Sequence, residues 1–116
     1  MSDDICENIN VFCRLRPYSA TEAEDKPCIS LSSDGQCIYR NGDSKRDSSF
    51  KFSNCFSQTS TQEDLFDSCS KPIVDSVLGG YNGTILAYGP TNSGKTYTMR
   101  GETFTALGAK MGIIPR

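Results

Sequence analysis

The sequence predicts an α/β fold, in which helices flank a central sheet, and three patterns lead to this prediction. Residues 9–15 alternate between two faces and carry β-branched side chains early, as in a strand. Residues 65–78 place apolar side chains three or four positions apart, as in a helix that packs on one face. Residues 83–88 are predicted to form a short buried strand, and the loop 89–96 then leads into residues that can open a helix.

Composition and charge exclude several classes of protein. A chain of 116 residues suits one small domain with a modest core. The 12 basic and 14 acidic residues give a net charge of −2, which argues against a nucleic-acid binder. Histidine is absent from the sequence, which removes histidine-based acid–base catalysis and histidine-ligated metal sites. No apolar run approaches the roughly 18 residues that a membrane-spanning helix needs.

The six cysteines are interpreted as reduced thiols. No C-x-x-C pair is present, and no secretory signal precedes them, so a disulfide framework, a zinc ribbon and a redox motif are all poorly supported. Cys13 and Cys69 fall on apolar faces of predicted elements, where a free cysteine behaves as a small hydrophobic residue. The pattern favours a cytosolic protein over a secreted one.

The first part of the chain is predicted to be a flexible lead-in at residues 1–8, followed by the strand and by Pro17, which ends it. The alternation places Arg14 and Arg16 on the same side at the carboxyl end of this strand. In open α/β sheets that end is where ligands bind. From the residues alone, two solvated arginines before a turn is an equal alternative.

The middle of the chain predicts a small antiparallel excursion at the edge of the sheet. Residues 28–31 and 37–39 have strand character, and the turn-type cluster 32–35 separates them. A strand is predicted to resume at residues 50–52, with Cys55 and Phe56 as apolar anchors after it.

A helix is predicted to begin at Ser60, because Ser60 and Glu63 have the spacing of a capping box. Pro72 lies inside the apolar pattern of this helix and is expected to kink or split it. Gly79 and Gly80 are predicted to end it. A plain packing helix is the preferred interpretation.

The loop after the third pattern matches G-x-x-x-x-G-K-[ST], the phosphate-binding P-loop. Its glycines let the backbone curl, and its N–H groups and the helix dipole face one small space. Lys95 would reach the β- and γ-phosphates of a nucleotide, and the hydroxyl of Thr96 would hold Mg²⁺. A glycine-rich turn with an exposed lysine is the alternative. The strand and the helix predicted on either side of the loop favour a nucleotide-phosphate site in a P-loop NTPase-type sheet. The matching residues are Gly89, Pro90, Thr91, Asn92, Ser93, Gly94, Lys95 and Thr96.

The order of these features resembles the beginning of a kinesin motor domain. Residues 8–17 look like the first strand of that family, and residues 50–52 and 56–63 look like its second strand and the entry to its first helix. The segment 80–99 is the most specific part of the resemblance. Residues 112–116 look like the point where the second helix resumes after the nucleotide-proximal loop. Residues 9–116 would then be about the first third of a motor domain.

The resemblance implies an ATP-driven microtubule motor that uses ATP and Mg²⁺. It implies that Arg14, Arg16 and Pro17 form one wall of the adenine pocket and that Tyr97 helps to cover the base. It also implies a cytoplasmic, cytoskeleton-associated protein, which contacts microtubules through segments beyond those present and needs neither nucleic acid nor a membrane. Residues 100–110 would be the variable, flexible loop beside the nucleotide, and the oligomeric state stays open.

Departures from the family pattern limit these expectations. Pro90 stands where glutamine is common, and Leu86 stands where phenylalanine is frequent. The two switch segments that sense the γ-phosphate are absent, so the catalytic set is incomplete and the chain alone is not expected to turn over ATP. The alternative is a truncated, non-catalytic product that binds a nucleotide or a partner, if anything. A small nucleoside or metabolite kinase is disfavoured, because the P-loop of those enzymes follows the first strand.

Overall fold

The computed structural model describes residues 9–22, 28–40, 48–102 and 108–116. The chain divides into two compact units, Met1–Ser57 and Gln58–Arg116, and each is described by itself. The predicted lead-in at residues 1–8 lies outside the described residues. That residues 9–116 form one partial domain stays a prediction.

The first unit contains a parallel pair of strands, β1 (Phe12–Arg14) and β5 (Asn54–Phe56). The N–H of Ser53 donates to the carbonyl of Val11 at 2.8 Å, and the N–H of Leu15 donates to the carbonyl of Phe56 at 2.9 Å. The predicted strand began three residues earlier. The observed strand is shorter because it is paired only where β5 runs beside it.

The predicted antiparallel excursion is present, but it forms a sheet of its own. Strands β2 (Ile29–Leu31), β3 (Cys37–Arg40) and β4 (Ser48–Lys51) pair in the order β2-β3-β4. The turn between β2 and β3 closes when the N–H of Gly35 donates to the carbonyl of Ser32 at 3.1 Å. Gly35 has a φ of 72°, which favours glycine at this position.

The strand predicted at residues 50–52 is wrong in its role. Its first two residues end β4, and the strand that pairs with β1 is β5, where only apolar anchors were expected. The two sheets are joined at the turn between β2 and β3. The N–H of Phe52 donates to the carbonyl of Gln36 at 2.8 Å, and the N–H of Cys55 donates to the carbonyl of Gly35 at 2.7 Å. A period-2 pattern identifies a strand but not its partner.

A small core holds the first unit together. The ring of Phe12 lies 6.2 Å from that of Phe56, centroid to centroid, in a tilted arrangement. The buried apolar residues of this unit come from both sheets and are Ile38, Cys55 and Phe56.

The second unit begins with a helix that is split at a proline, as predicted. Helix α1 (Gln62–Leu65) runs into a wide π-helical turn at Phe66–Ser70, and α2 (Lys71–Leu78) follows. The N–H of Lys71 donates to the carbonyl of Phe66, five residues back. Pro72 lies in the first turn of α2, where a missing N–H removes no hydrogen bond within the helix.

The ends of this helical segment are close to those predicted. The capping box uses Thr61 and Asp64 rather than Ser60 and Glu63, so the prediction was one residue early. At the other end the N–H of Gly79 donates to the carbonyl of Asp75 at 3.1 Å, and Gly80 has a φ of 97°. The paired glycines therefore end α2 as expected.

The buried strand predicted at residues 83–88 is wrong. No strand pairs with this segment among the described residues, and Leu86 and Tyr88 are 87% and 101% exposed. Gly83 packs against α2, because a Cβ there would lie 2.5 Å from Cγ2 of Ile73. An apolar run predicts burial only where neighbouring strands cover it, and the described part of the chain supplies none.

The predicted packing face of the helix is buried only in part. Leu65 of α1 is buried, whereas Val74, Val77 and Leu78 of α2 are exposed. The segment with the most apolar pattern is therefore less covered than its sequence suggests.

The helix predicted after the loop is confirmed as α3 (Lys95–Arg100). The two ends of the variable segment that follows α3 lie side by side. Gly101 forms an isolated β-bridge with Met111, and Glu102 forms an ion pair with Lys110 at 2.6 Å. A 3₁₀ turn covers Gly108–Lys110, and residues 103–107 lie outside the described residues.

The sequence predicts that a helix resumes at residues 112–116. No helix forms in this described part of the chain, but these residues hydrogen-bond to the end of α3. These residues form a turn, but the N–H groups of Ile113 and Ile114 donate to the carbonyls of Thr98 and Met99 at 3.0 and 2.8 Å. They occupy carbonyls that a next helical turn would use. The fold is thus mixed α/β, with parallel strands and helices, as predicted. None of the helices described is long and apolar enough to cross a membrane.

Candidate functional site: the loop at Gly89–Thr96

The loop between residues 89 and 96 is a tight turn that uses left-handed backbone twice. The N–H of Ser93 donates to the carbonyl of Pro90 at 3.1 Å. Asn92 has a φ of 66° and Gly94 a φ of 100°. Asparagine tolerates this conformation better than most residues do, and glycine adopts it without strain. The residue types in the motif therefore fit the backbone they form.

The first glycine of the loop lies directly against its serine. A Cβ on Gly89 would lie 2.6 Å from Oγ of Ser93, so a side chain there would displace the Ser93 hydroxyl. Oγ of Ser93 is buried and has no hydrogen-bond partner among the described residues. Buried polar atoms without a partner are rare in folded proteins. This hydroxyl therefore fits a polar ligand that enters the loop.

Lys95 folds back over the loop. Its Nζ donates to the carbonyl of Gly89 at 2.6 Å, and its side chain is half-buried. The ammonium group is thus held over the first residue of the loop rather than extended into solvent. This places one positive charge where an anion would lie.

Helix α3 begins without any side-chain cap. Gly94 is its N-cap, and the carbonyl of Gly94 accepts from the N–H of Thr98 at 2.9 Å. The N–H groups in the first turn of a helix have no partner within the helix. Thr96 and Tyr97 both lie in this turn with exposed side chains, and their roles at a nucleotide stay a prediction.

Gln62 hydrogen-bonds to α3 and helps to hold it in place. It was not identified as a site residue from the sequence. Its Nε2 donates to the carbonyl of Tyr97 at 2.6 Å, and the residue is only 4% exposed. A signal was present, since Gln62 is a polar residue on the same face as Leu65 and Cys69, at helical spacing. Gln62 is therefore a positioning residue for the helix that follows the loop.

The other predicted site residues belong to the first unit. Arg14 lies in β1, half-buried, opposite Phe56 in the parallel register. Arg16 donates to both carboxylate oxygens of Glu22 at 2.8 Å and to the carbonyl of Pro17 at 3.0 Å. That these residues and the loop line one nucleotide pocket stays a prediction.

The carboxylate of Glu22, which pairs with Arg16, accepts hydrogen bonds that favour its charged form. The pKa of Glu22 lies below its ordinary value, chiefly because the backbone N–H of Ser19 donates to its carboxylate and next because Arg16 does.

The described residues bring no three cysteine or acidic side chains together as a metal site. A metal at the loop would therefore rely on Thr96 and the ligand's own oxygens.

These features define the class of the protein: an α/β protein whose glycine-rich loop, of the phosphate-binding type, opens a helix. The kinesin motor domain family model matches residues 14–116. The chain is 40% identical over 111 residues to the kinesin heavy chain of Botryotinia fuckeliana, and 40% identical over 116 residues to the kinesin-1 heavy chain of Homo sapiens. The chain belongs to the kinesin motor domain family.

A solved structure of a fast kinesin, described for its ATPase mechanism and its interactions with microtubules, is also similar. It matches with a TM-score of 0.81 at 36% sequence identity, over 93% of this chain and 30% of that one. The alignments cover 94% and 97% of this chain but only 12% and 11% of the Botryotinia and human heavy chains. The chain therefore spans a small part of the curated relatives that it matches.

Proposed function

We propose that this chain is the ATP-binding part of a kinesin-type microtubule motor. The observation that carries the proposal is the closed loop, in which the Lys95 ammonium lies on the Gly89 carbonyl and the Ser93 hydroxyl is buried without a partner. Both groups would find partners in the phosphate oxygens of a nucleotide. The named relatives are kinesin heavy chains, which supports a motor over other proteins with a P-loop.

The residues of the loop fit a nucleoside triphosphate with Mg²⁺. Lys95 would move from the Gly89 carbonyl to the β- and γ-phosphates, a short displacement for its long side chain. Ser93 would donate its hydroxyl to a phosphate oxygen, and Thr96 would bind Mg²⁺ through its own hydroxyl. When bound, ATP supplies the phosphoanhydride bond that is hydrolysed, and Mg²⁺ neutralises the charge on its oxygens.

The adenine base is the second part of the proposed ligand. We infer that Arg14, Arg16 and Pro17 form one wall of the adenine pocket and that Tyr97 covers the base. An arginine guanidinium is planar and stacks well on aromatic rings. In the structure Arg16 is instead paired with Glu22, so base binding would compete with, or be oriented by, that ion pair.

Hydrolysis, microtubule binding and movement are proposed for the complete motor. The switch segments that position the attacking water are not in these residues, so this chain alone would bind ATP with little turnover. The complete protein would act in the cytoplasm on the cytoskeleton. A second candidate is a non-catalytic fragment that binds a nucleotide or a partner, and the exposed Leu86 and Tyr88 favour it.

The substitution Lys95→Ala tests the proposed nucleotide site. We expect the affinity for a fluorescent ATP analogue in Mg²⁺ to fall by at least about tenfold, because one charge-assisted contact contributes roughly 1.5–3 kcal/mol. Equilibrium titration of the full chain measures it. In a chain extended to motor length, the same change should abolish ATP-dependent microtubule gliding.

The control is Lys71→Ala, since Lys71 is an exposed lysine in α2 and outside the loop. This variant should bind the analogue as the unmodified chain does. Circular dichroism of both variants checks that the fold persists. Equal affinity in Lys95→Ala and the unmodified chain would show that the loop is only a glycine-rich turn.

A further inference from the structure

Two cysteines face each other across the parallel strands of the first unit. The register of β1 and β5 places Cys13 directly opposite Cys55. Hydrogen bonds on both sides of this pair fix the register, from Ser53 to Val11 and from Leu15 to Phe56. Side chains that are opposite each other in a parallel ladder point to the same face of the sheet.

The spacing of these strands suits a disulfide bond. Neighbouring strands lie roughly 4.8 Å apart. Disulfides join residues whose Cα atoms are about 4.4–6.8 Å apart. Cys13 and Cys55 therefore meet the distance requirement without a change of strand pairing, and both are reduced thiols in the structure.

The surroundings of the two thiols differ. Cys55 is buried, and Cys13 is half-buried, so a small reagent reaches Cys13 first. Burial raises the pKa of the Cys13 thiol, and the adjacent Cys55 raises it further. A protonated thiol is a weak nucleophile, so the pair is expected to react slowly at neutral pH.

We propose that Cys13 and Cys55 form a reversible dithiol–disulfide site that takes small two-electron oxidants of the hydroperoxide class. The Cys13 thiolate attacks a peroxide oxygen, the O–O bond breaks, and a sulfenic acid and water form. Cys55 then attacks Sγ of Cys13, the S–O bond breaks, and the departing hydroxide leaves as water with a thiol proton. In sum, two thiols lose two electrons and two protons, and one hydrogen peroxide becomes two waters.

The other cysteines offer no equivalent arrangement among the described side chains. Cys28 is exposed at the start of the antiparallel sheet. Cys69 is half-buried in the π-helical turn of the second unit. The parallel register is thus the feature that singles out Cys13 and Cys55, and it places the new bond one residue before Arg14.

The experiment exposes the full chain to excess hydrogen peroxide for hours, blocks the remaining thiols and maps peptides without reduction. We expect a linked Cys13–Cys55 peptide pair, roughly 2 Da lighter than the sum of the two reduced peptides, that dithiothreitol separates. Cys6 shares a tryptic peptide with Cys13, and Cys69 shares one with Cys55. A Cys6→Ser/Cys69→Ser background therefore makes the assignment unambiguous.

Single variants in that background complete the test. Cys13→Ser and Cys55→Ala should each remove the linked pair, whereas Cys28→Ser should leave it unchanged. The same oxidation in guanidinium chloride, where the register is lost, should instead give mixed pairings. The proposal is overturned if the folded chain yields the same mixture, or if no linked pair forms while Cys28 is oxidised.

Discussion

The starts of α1 and α3, both in the second unit, satisfy their backbone N–H groups in opposite ways. At α1 the hydroxyl of Thr61 accepts from the N–H of Asp64 at 3.1 Å, and the carboxylate of Asp64 accepts from the N–H of Thr61 at 2.8 Å. At α3 the N-cap is Gly94, which has no side chain to offer. The start of α1 uses its own side chains to satisfy its N–H groups, whereas the start of α3 has no side-chain cap.

The residue at the N-cap distinguishes a helix that is only structural from one that follows a binding loop. A capping box stabilises a helix by a reciprocal pair of hydrogen bonds. A glycine at the same position forgoes that gain but permits a φ of 100°, which turns the loop toward the helix end. The lost stabilisation is offset partly by Gln62, which belongs to the capped helix and holds the uncapped one.

The largest effect is expected from Gln62→Glu, because it breaks this link between the helices. A buried carboxylate cannot donate to the Tyr97 carbonyl, and the two oxygens repel. We expect the free energy of unfolding to fall by at least about 3 kcal/mol. The helix dipole stabilises a carboxylate at this position by at most about 2 kcal/mol, which is less than the expected loss. Denaturant unfolding at neutral pH measures it.

The pH dependence of this variant identifies the cause. Burial should raise the pKa of the introduced carboxyl group. As the pH falls through that value the carboxyl gains a proton, donates to the carbonyl, and the deficit relative to the unmodified chain shrinks. Gln62→Leu, which removes the donor without adding charge, should show a smaller deficit that does not change with pH. A constant deficit in Gln62→Glu would contradict the buried-charge explanation.

The two helix starts also show what sequence reasoning can and cannot reach. The motif identified the uncapped start correctly, because its residues form their turn locally. The capped start was predicted one residue early, since both Ser60 and Thr61 are good caps and only the structure distinguishes them. Local hydrogen bonding therefore made both helix starts predictable to within a residue.

Non-local pairing was the part that the sequence left open. Residues 83–88 have the pattern of a buried strand, yet a strand is buried only by neighbours that the pattern does not name. The same limit explains a second error. The strand that pairs with β1 is Asn54–Phe56, whereas the sequence pattern predicted a strand at residues 50–52. Gln62 was overlooked for a related reason, because its partner is a backbone carbonyl 35 residues away.

An intermediate effect is expected from Gly94→Ala, which puts a side chain on the uncapped start. A Cβ at this position meets nothing within 4 Å, so the cost comes from the backbone alone. Left-handed backbone costs a residue with a Cβ about 1–2 kcal/mol. We expect that loss in the free energy of unfolding, together with weaker binding of the ATP analogue. Denaturant unfolding and the titration used for Lys95→Ala measure the two effects.

Gly108→Ala is the matched control for this substitution. Gly108 has a φ of 65°, and a Cβ added there would also meet nothing within 4 Å, but it lies in the 3₁₀ turn outside the loop. It should lose a similar amount of stability and keep the affinity for the analogue. If both variants lost affinity equally, the loss at Gly94 would reflect general destabilisation and not the loop.

The smallest effect is expected at the capped start, where the pKa of Asp64 lies below its ordinary value of 3.8. The backbone N–H of Thr61 lowers it most, and the Thr61 side chain adds to this. Because the folded-state pKa is the lower one, the stabilisation is fully present above the ordinary value and is lost as the pH falls through the folded-state value. Asp64→Asn cannot titrate, so its stability deficit at neutral pH should shrink as the pH falls through the folded-state pKa of Asp64. Urea unfolding of both chains over a series of pH values from neutral to acid measures the difference, and binding of the ATP analogue at neutral pH should be unchanged. A deficit that persists in acid would mean that the capping box acts through shape rather than through the Asp64 charge, and the contrast between the two helix starts would lose its electrostatic part.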